Sequence, residues 1–241
     1  MKNGEKLPIL LSIEDEEGFD GGLPDAIVPV VFTRGRKKIE GECYFGAYPA
    51  LRSFLAEYGE NPFTRGALEA LDRALAPYLA SIGYERGGGV YRFYRSFVLW
   101  NKEKLNAGPI LPSSVILDGR TLRRVKVNRT DFDLRELRAK RLQTVFTLDE
   151  HGEVLSVASV NEHSAGQRLL EMSVYTLPQD RGRGYAASNG ALLAKTLLEE
   201  RFGVIYVCSC RNAPSIAVAK KIGLTEENRF YAVDAYKTNG T

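Results

Sequence analysis

The chain has 241 residues, which is the size of one large domain or two small ones. Hydrophobic residues make up 44% of it and charged residues 26%, a balance typical of a globular protein with a real core. The net charge of +3 lacks the basic excess of proteins that live on nucleic acid, and no apolar run is long enough to span a membrane. Residues 1–15 also lack the layout of a signal peptide. We therefore expect a cytoplasmic protein with neither nucleic-acid nor membrane partners.

The N-terminal half is predicted to contain strands followed by helices. Residues 1–25 are acidic and end in Gly-Gly-Leu-Pro, which predicts a solvated arm. Strands are predicted at 26–32 and 42–47, and apolar residues at helical spacing predict helices at 49–58 and 64–81. Thr64 is the expected N-cap of the second helix, and Pro77 is expected to kink or shorten it.

An aromatic run with interleaved arginines, residues 90–100, predicts a strand with one buried face and not a base-stacking surface. The next stretch, 101–119, contains Pro109 and Pro112 and has no periodicity, so we place a domain boundary near residue 115.

The C-terminal half is predicted to begin with a basic, weakly helical segment at 121–141 and a meander of strands at 144–148, 153–161 and 169–176. A long helix (185–201), a strand (204–209), a short helix (214–222) and final strands to Tyr236 follow. This order predicts an α/β (α+β) fold, with a mixed sheet flanked by helices in residues 116–241 and a smaller α/β domain in residues 1–115.

Metal and disulfide chemistry have few residues to draw on. The chain has three cysteines and two histidines, His151 and His163, in no metal-binding spacing. Cys208 and Cys210 lie at the end of an apolar strand, where a disulfide is not expected. We predict no metal site.

Residues 179–188 read QDRGRGYAAS and join a predicted strand to the long helix. Gly182 and Gly184 allow a tight turn, and the first N–H groups of a helix have no partner within it. A helix start attracts an anion by about 0.3–1 kcal/mol per charge, and Arg181 and Arg183 add direct pairing. The segment suits a diphosphate.

A dinucleotide-binding loop is a second interpretation, because residues 182–187 also fit G-x-G-x-x-A. That fingerprint requires an acidic residue at the end of the next strand. The next strand offers none, and a meander precedes the loop, so this interpretation is disfavoured.

The loop resembles that of the GCN5-related N-acetyltransferase (GNAT) family, whose acetyl-CoA loop reads Gln/Arg-x-x-Gly-x-Gly/Ala. Gln179, Gly182 and Gly184 match its fixed positions. A second family block, an Asn after the next strand and Lys-x-Gly-Phe after the short helix, is matched by Asn212 and by residues 221–224. The resemblance covers residues 121–241.

Within the family, the chain looks nearest to the zwittermicin-resistance-like subgroup. In that subgroup the second block reads Cys-x-Asn-x-x-Ser-x-x-x-Ala-x-Lys-x-Gly, and residues 210–223 match this pattern. The subgroup also carries an N-terminal domain of about this size. The N-terminal domain here is a candidate degenerate acetyltransferase-like half.

The resemblance implies two splayed strands, 169–176 and 204–209, that admit the pantetheine arm of acetyl-CoA. It implies contacts from the strand end to that arm, from the loop to the diphosphate, and from the second block to the pantetheine. The cofactor-binding residues so implied are Tyr175, Thr176, Gln179, Arg181, Gly182, Arg183, Gly184, Tyr185, Ala186, Asn212 and Ser215. Asn212 alternatively acts as a plain N-cap, and one side chain can fill both roles.

The resemblance further implies direct transfer of an acetyl group from acetyl-CoA to a primary amine of a small molecule. Such an amine has a pKa of about 10.4 and needs a base. Glu171 is the predicted base, since it shares a strand face with Ser173 and Tyr175; Glu162 and His163 are reserves. A main-chain N–H of Tyr175 or Thr176 is expected to stabilise the thioester oxygen.

The family's usual proton-donating tyrosine falls at Ala219 in this chain. The proton for the CoA thiolate must then come from water or from another hydroxyl, with Tyr231 and Tyr236 as candidates. The acceptor amine carries no motif, although the acidic N-terminal arm suits a polyamine. We expect a monomer or a homodimer.

Two other functions stay open. A non-catalytic CoA sensor is suggested by Ala219 in place of the tyrosine. An aminoacyl-tRNA-dependent transferase also pairs two such domains, but it does not need the acetyl-CoA loop, which is intact here.

Overall fold

The computed structural model of the chain describes residues 8–14, 25–35, 37–87, 92–118, 125, 143–161 and 168–238. Contacts between Cα atoms divide the chain into unit 1, Met1–Tyr94 with Arg229–Thr241, and unit 2, Arg95–Asn228. The sequence prediction instead places one boundary near residue 115. The predicted helical end of 121–141, most of the acidic arm, and Glu162 and His163 lie outside the described residues.

Unit 1 is a mixed sheet with two helices. Its strands are β1 (Ile9–Glu14), β2 (Ala26–Arg34), β3 (Ile39–Tyr44), β4 (Tyr84–Arg86) and the later part of β11 (Thr225–Lys237), and its helices are α1 (Tyr48–Tyr58) and α2 (Arg65–Ser81). The strand order is β1-β3-β2-β11, with β4 also paired to β11. Strands β1 and β3 are parallel, and the other pairs are antiparallel.

One expectation for unit 1 is wrong, and one is wrong in part. The N-terminal arm contains a strand, because Ile9 and Leu11 pack against the core while β1 pairs in parallel with β3 from Ile9 opposite Ile39. Helix α2 is not shortened by Pro77 and runs on to Ser81. Its predicted N-cap is confirmed, since Thr64 Oγ1 accepts a hydrogen bond from Ala67 N at 3.2 Å.

Unit 2 also contains paired strands of mixed direction and two helices. Its elements are the later part of β5 (Arg92–Leu99), β6 (Ser114–Ile116), β7 (Thr144–Leu148), β8 (Val154–Val160), β9 (Leu169–Thr176), α3 (Tyr185–Glu199), β10 (Gly203–Ser209) and α4 (Ala213–Lys221). The strand order is β5-β10-β9-β8-β7-β6. Strands β6 to β9 form an antiparallel meander, and β9 and β10 are parallel.

Helix α3 packs on β7, β8 and β9. Its buried face consists largely of small residues, and a Cβ at Gly190 would lie 3.4 Å from Ile222 Cδ1 and 3.6 Å from Met172 Cε. The helix therefore lies close to the sheet, which fixes the position of its N-terminus.

Both units are α/β with helices packed on a mixed sheet, so the predicted fold class is confirmed. The predicted strands of the meander, the long helix and the following strand agree with the structure to within a few residues. Strand β6 was missed, because its three residues lie in the segment predicted to be a linker. In the described part of the chain, no helix combines the length and the apolar character needed to cross a membrane.

Candidate functional site

The parallel strands β9 and β10 are joined only at their beginnings. Leu169, Leu170 and Glu171 pair with Gly203, Val204 and Ile205 in turn. Past Ile205 the register contains no further pair, although β9 continues to Thr176 and β10 to Ser209. The expected splayed strands are therefore present, and the Glu171–Ile205 pair marks the apex of the split.

Hydrogen bonds to β8 decide which main-chain groups of β9 face this split. Asn161 N donates to Glu171 O at 2.8 Å, and Leu177 N donates to Leu155 O at 3.0 Å. Because bonding alternates along an antiparallel pair, the odd residues of β9 bond β8 and the even ones point away from it. Tyr175 lies opposite Val157, so its main-chain N–H and C=O groups bond β8 and do not face the split. This corrects the expectation that Tyr175 contributes its main chain to the split.

Val174 and Thr176 have the opposite orientation, and their main-chain groups point toward β10. A strand-like ligand in the split would meet these groups. The Thr176 carbonyl also accepts a hydrogen bond from Arg181 Nε at 3.3 Å, while the Thr176 hydroxyl lies 2.8 Å from Ser156 Oγ.

The loop after β9 turns twice through backbone conformations that favour glycine. Gly182 has φ +82° and Gly184, the N-cap residue of α3, has φ +84°. A Cβ added at either position would meet no atom within 4 Å. The two glycines are therefore required by the backbone conformation, and the space above them is open.

A row of main-chain donors faces this space. The N–H groups of Gly182 through Ala187 donate no hydrogen bond to any residue that the structure describes. The residues on either side of the row do donate main-chain hydrogen bonds. Arg181 N donates to Pro178 O at 3.5 Å, and Ser188 N donates to Gly184 O at 3.0 Å. The row combines the unpaired first turn of a helix with two further donors from the loop.

Cationic side chains flank the row. Arg181 and Arg183 are exposed, and Arg183 Nη1 lies 3.4 Å from Oδ1 of Asp180, which is 6% exposed. Gln179 is exposed in the short turn before the loop, and Tyr185 and Ala186 are half-buried in the first turn of α3. Donors, helix dipole and guanidinium groups together favour an anion.

A buried polar cluster fixes the start of α3. Ser114 Oγ lies 2.5 Å from Ser188 Oγ and donates to Asn189 Oδ1 at 2.7 Å, while Thr147 Oγ1 donates to the same amide oxygen at 2.8 Å. Sequence analysis missed this cluster. Its only signal was a Ser-Asn pair on a helix face that otherwise reads as apolar.

Asn212 forms the N-cap of α4. Its Oδ1 accepts a hydrogen bond from Ser215 N at 3.1 Å. The side chain is exposed, and its amide nitrogen bonds no residue in the described ranges. The capping role and a free amide donor therefore coexist on one side chain.

Glu171 lies at the apex of the split. Its carboxylate Oε1 accepts a hydrogen bond from Asn161 Nδ2 at 2.7 Å. Glu171, Ser173 and Tyr175 alternate with the buried Leu170 and Met172 along β9, so they share the face that the sequence predicts.

The two C-terminal tyrosines lie in unit 1. Tyr231 is 0% exposed, and its ring packs against Phe32 and Phe93 while its hydroxyl accepts a hydrogen bond from Arg86 Nη2 at 3.3 Å. Tyr231 thus belongs to the hydrophobic core of unit 1, and its role as a proton donor stays a prediction. Tyr236 is 37% exposed and its ring lies beside Gly87.

Tyr206 is a candidate that sequence analysis missed. It is the first residue of β10 beyond the apex, it is 4% exposed, and its phenol interacts with the Ser215 side chain. Burial raises the pKa of the Tyr206 phenol, so the group is protonated near neutral pH. Ala219, fully buried, follows Ser215 by one helical turn. Strand alternation could have placed Tyr206 on the same face as Val204 and Cys208.

Among the described residues, no group of three or more His, Cys, Asp or Glu side chains could hold a metal ion. The chain matches no protein-family model and no curated protein.

Several solved structures are similar to the chain. One is a GNAT-family acetyltransferase from Novosphingobium aromaticivorans, with 15% identity over 65% of this chain and 69% of that one, at a TM-score of 0.45. A GCN5-related N-acetyltransferase-like protein from Streptococcus suis has 17% identity over 72% and 75%, at 0.45. A GCN5-related N-acetyltransferase from Sphaerobacter thermophilus has 11% identity over 92% and 84%, at 0.46.

Proposed function

We propose that unit 2 binds acetyl-CoA and transfers its acetyl group to a primary amine of a small molecule. The observation that carries the proposal is the row of unpaired N–H donors from Gly182 to Ala187, which opens onto free space beside Arg181 and Arg183. A diphosphate is a compact anion rich in acceptor oxygens, and it suits such a row.

The pantetheine arm has the chemistry to fill the split between β9 and β10. Its two amide groups alternate with short alkyl stretches, much like an added strand. In the proposal they pair with the main chain of Val174 and Thr176, as in strand addition to a sheet edge. The free amide nitrogen of Asn212 supplies a further donor from α4.

The proposed reaction is a direct acyl transfer at the apex. The acceptor nitrogen attacks the thioester carbonyl carbon, a C–N bond forms, and the C–S bond breaks. Glu171 takes the proton that the amine loses, and Tyr206 gives a proton to the departing sulfur. A main-chain N–H of Val174 or Thr176 stabilises the charge on the carbonyl oxygen.

Binding and turnover are tested separately. Calorimetry with CoA on the whole chain is expected to show one site per chain. Release of free thiol from acetyl-CoA is then followed over a panel of small amines, and mass spectrometry of the product is expected to show one added acetyl group. Absence of CoA binding would refute the proposal. Binding without thiol release across the panel would instead favour the sensor, which Ala219 suggests. The subgroup and the acceptor stay predictions.

A further inference from the structure

A cavity of about 300 Å³ lies within unit 2, away from the loop after β9. Residues 98–101 and Lys104 form one wall, and residues 225–227 at the start of β11 form the other. The side chain of Trp100 packs on Gly203, the residue at which β10 begins and is paired with β9. The cavity therefore lies near the joined end of these two strands, whereas the glycine loop follows the opposite end of β9.

The aromatic part of the cavity is an exposed indole. Trp100 is 56% exposed, and a Cβ added at Gly203 would lie 2.5 Å from Trp100 Cε3. A glycine at position 203 therefore lets the ring rest against the main chain of β10 while the remainder of the ring stays open. Val98 and Leu99 add buried apolar surface to the same lining. This combination suits a flat apolar group.

Two side chains of opposite charge line the cavity without a partner. Lys104 and Glu227 are exposed, and neither side chain forms an ion pair or a hydrogen bond with any residue in the part of the chain that the structure describes. The other carboxylate of the lining, Glu226, is already paired, since Arg95 Nη1 donates to its Oε2 at 3.1 Å. The cavity thus offers one ammonium group and one carboxylate to a ligand.

The backbone that carries these two groups is ordered by main-chain hydrogen bonds. Lys104 N donates to Asn101 O at 3.0 Å, and Leu105 N donates to Lys102 O at 3.1 Å, which closes the turn on one wall. Glu227, on the other wall, belongs to β11. Only side chains need to adjust when a ligand enters, so little binding free energy is lost in ordering the site.

We propose that this cavity binds a zwitterionic aromatic amino acid. Its carboxylate pairs with Lys104, its ammonium group pairs with Glu227, and its ring packs on Trp100. A ligand with both charges satisfies both side chains at once, whereas a simple anion or a simple cation leaves one of them unpaired. A volume of about 300 Å³ is at the lower end of ligand pockets, which suits a single amino acid better than a peptide.

The proposed site has a specific optical probe, because Trp100 is the single tryptophan of the chain. Its fluorescence, together with calorimetry on the full chain, is followed with three ligands. These are L-phenylalanine, L-phenylalaninamide, which lacks the carboxylate, and 3-phenylpropanoate, which lacks the ammonium group. Each analogue thus removes one of the two proposed charge pairs and keeps the aromatic ring.

Two cavity variants, Lys104→Met and Glu227→Gln, remove the same charges from the protein. Their controls are Lys102→Met and Glu103→Gln, which make the same changes at exposed positions that do not line the cavity. Lys102 forms an exposed ion pair with Glu199, and such a surface pair contributes little to stability.

L-Phenylalanine is expected to change the Trp100 emission saturably and to bind at least about tenfold more tightly than either analogue. Lys104→Met should abolish the preference over the amide, and Glu227→Gln the preference over 3-phenylpropanoate, while both controls keep the native preferences. The inference would be overturned by absence of both heat and emission change with L-phenylalanine, or by equal affinity for the three ligands. It would also be overturned if a preference survived in the variant that should abolish it, or was lost in the control. None of these ligands is a CoA compound, so the proposed function stands or falls separately.

Discussion

Replacing Gly182 by Asp or by Asn tests the charge of the proposed ligand directly. Both side chains tolerate positive φ better than most, and a Cβ at this position meets no atom within 4 Å, so the two variants should fold alike. They have nearly the same shape and differ mainly in one negative charge. The Asn variant is thus a matched control for the steric block expected of any side chain here.

The size of the effect follows from Coulomb's law. We take a separation of roughly 5 Å, about one short side chain plus one hydrogen bond, between a carboxylate at position 182 and a phosphate held by the neighbouring N–H groups. At an effective dielectric constant of about 20, the repulsion is about 3 kcal/mol per charge pair, or a more than 100-fold higher Kd for Asp than for Asn.

Calorimetry with CoA at low salt measures this ratio, and circular dichroism melts check that both variants have the same Tm. The ratio should shrink in 1 M salt, where the screening length falls to about 3 Å. Equal Kd values for Asp and Asn at low salt, with equal Tm, would refute the placement of an anion on the loop.

Three further predictions concern side chains around the split. Glu171→Gln should lower kcat by about 10²–10⁴ with an unchanged Kd for CoA, and full turnover at every pH would exclude Glu171 as the base. Tyr206→Phe should lower kcat while preserving CoA binding. Because burial raises the pKa of Tyr206, the native chain should also lose unfolding free energy above about pH 10. Denaturant titrations should show a smaller loss of unfolding free energy in the variant. Asn212→Ala should cost about 1 kcal/mol in unfolding free energy, whereas Asn212→Ser keeps a capping oxygen and most of that stability. Both variants should bind CoA more weakly than the native chain. Undiminished CoA affinity in the Ser variant would show that Asn212 acts only as a cap.

Periodic patterns in the sequence predicted much of unit 2. Alternation over residues 144–148 and 169–176, and the small-residue helix after the loop, gave elements that match the structure closely. Strands β1 and β6 were missed for different reasons. The apolar run of β1 stands next to an acidic stretch, and the three residues of β6 are too few to show a period.

The site was predictable where it depends on local chemistry. The conformations of Gly182 and Gly184 and the capping by Asn212 follow from the residues themselves. The main-chain orientation of Tyr175 could not be predicted from the sequence, because it depends on which residues of β8 pair with β9. The position of Tyr206 likewise depends on where the pairing of β9 and β10 stops.

The enclosure of Ala219 constrains how this chain could change over time. A tyrosine introduced there would enter a position with 0% exposure, on the helix turn after the Ser215 that already meets Tyr206. Such overpacking typically costs about 1–3 kcal/mol, a substantial part of the roughly 5–15 kcal/mol by which a folded domain is stable. A tyrosine at position 219 would therefore be better accommodated together with a smaller residue at position 206.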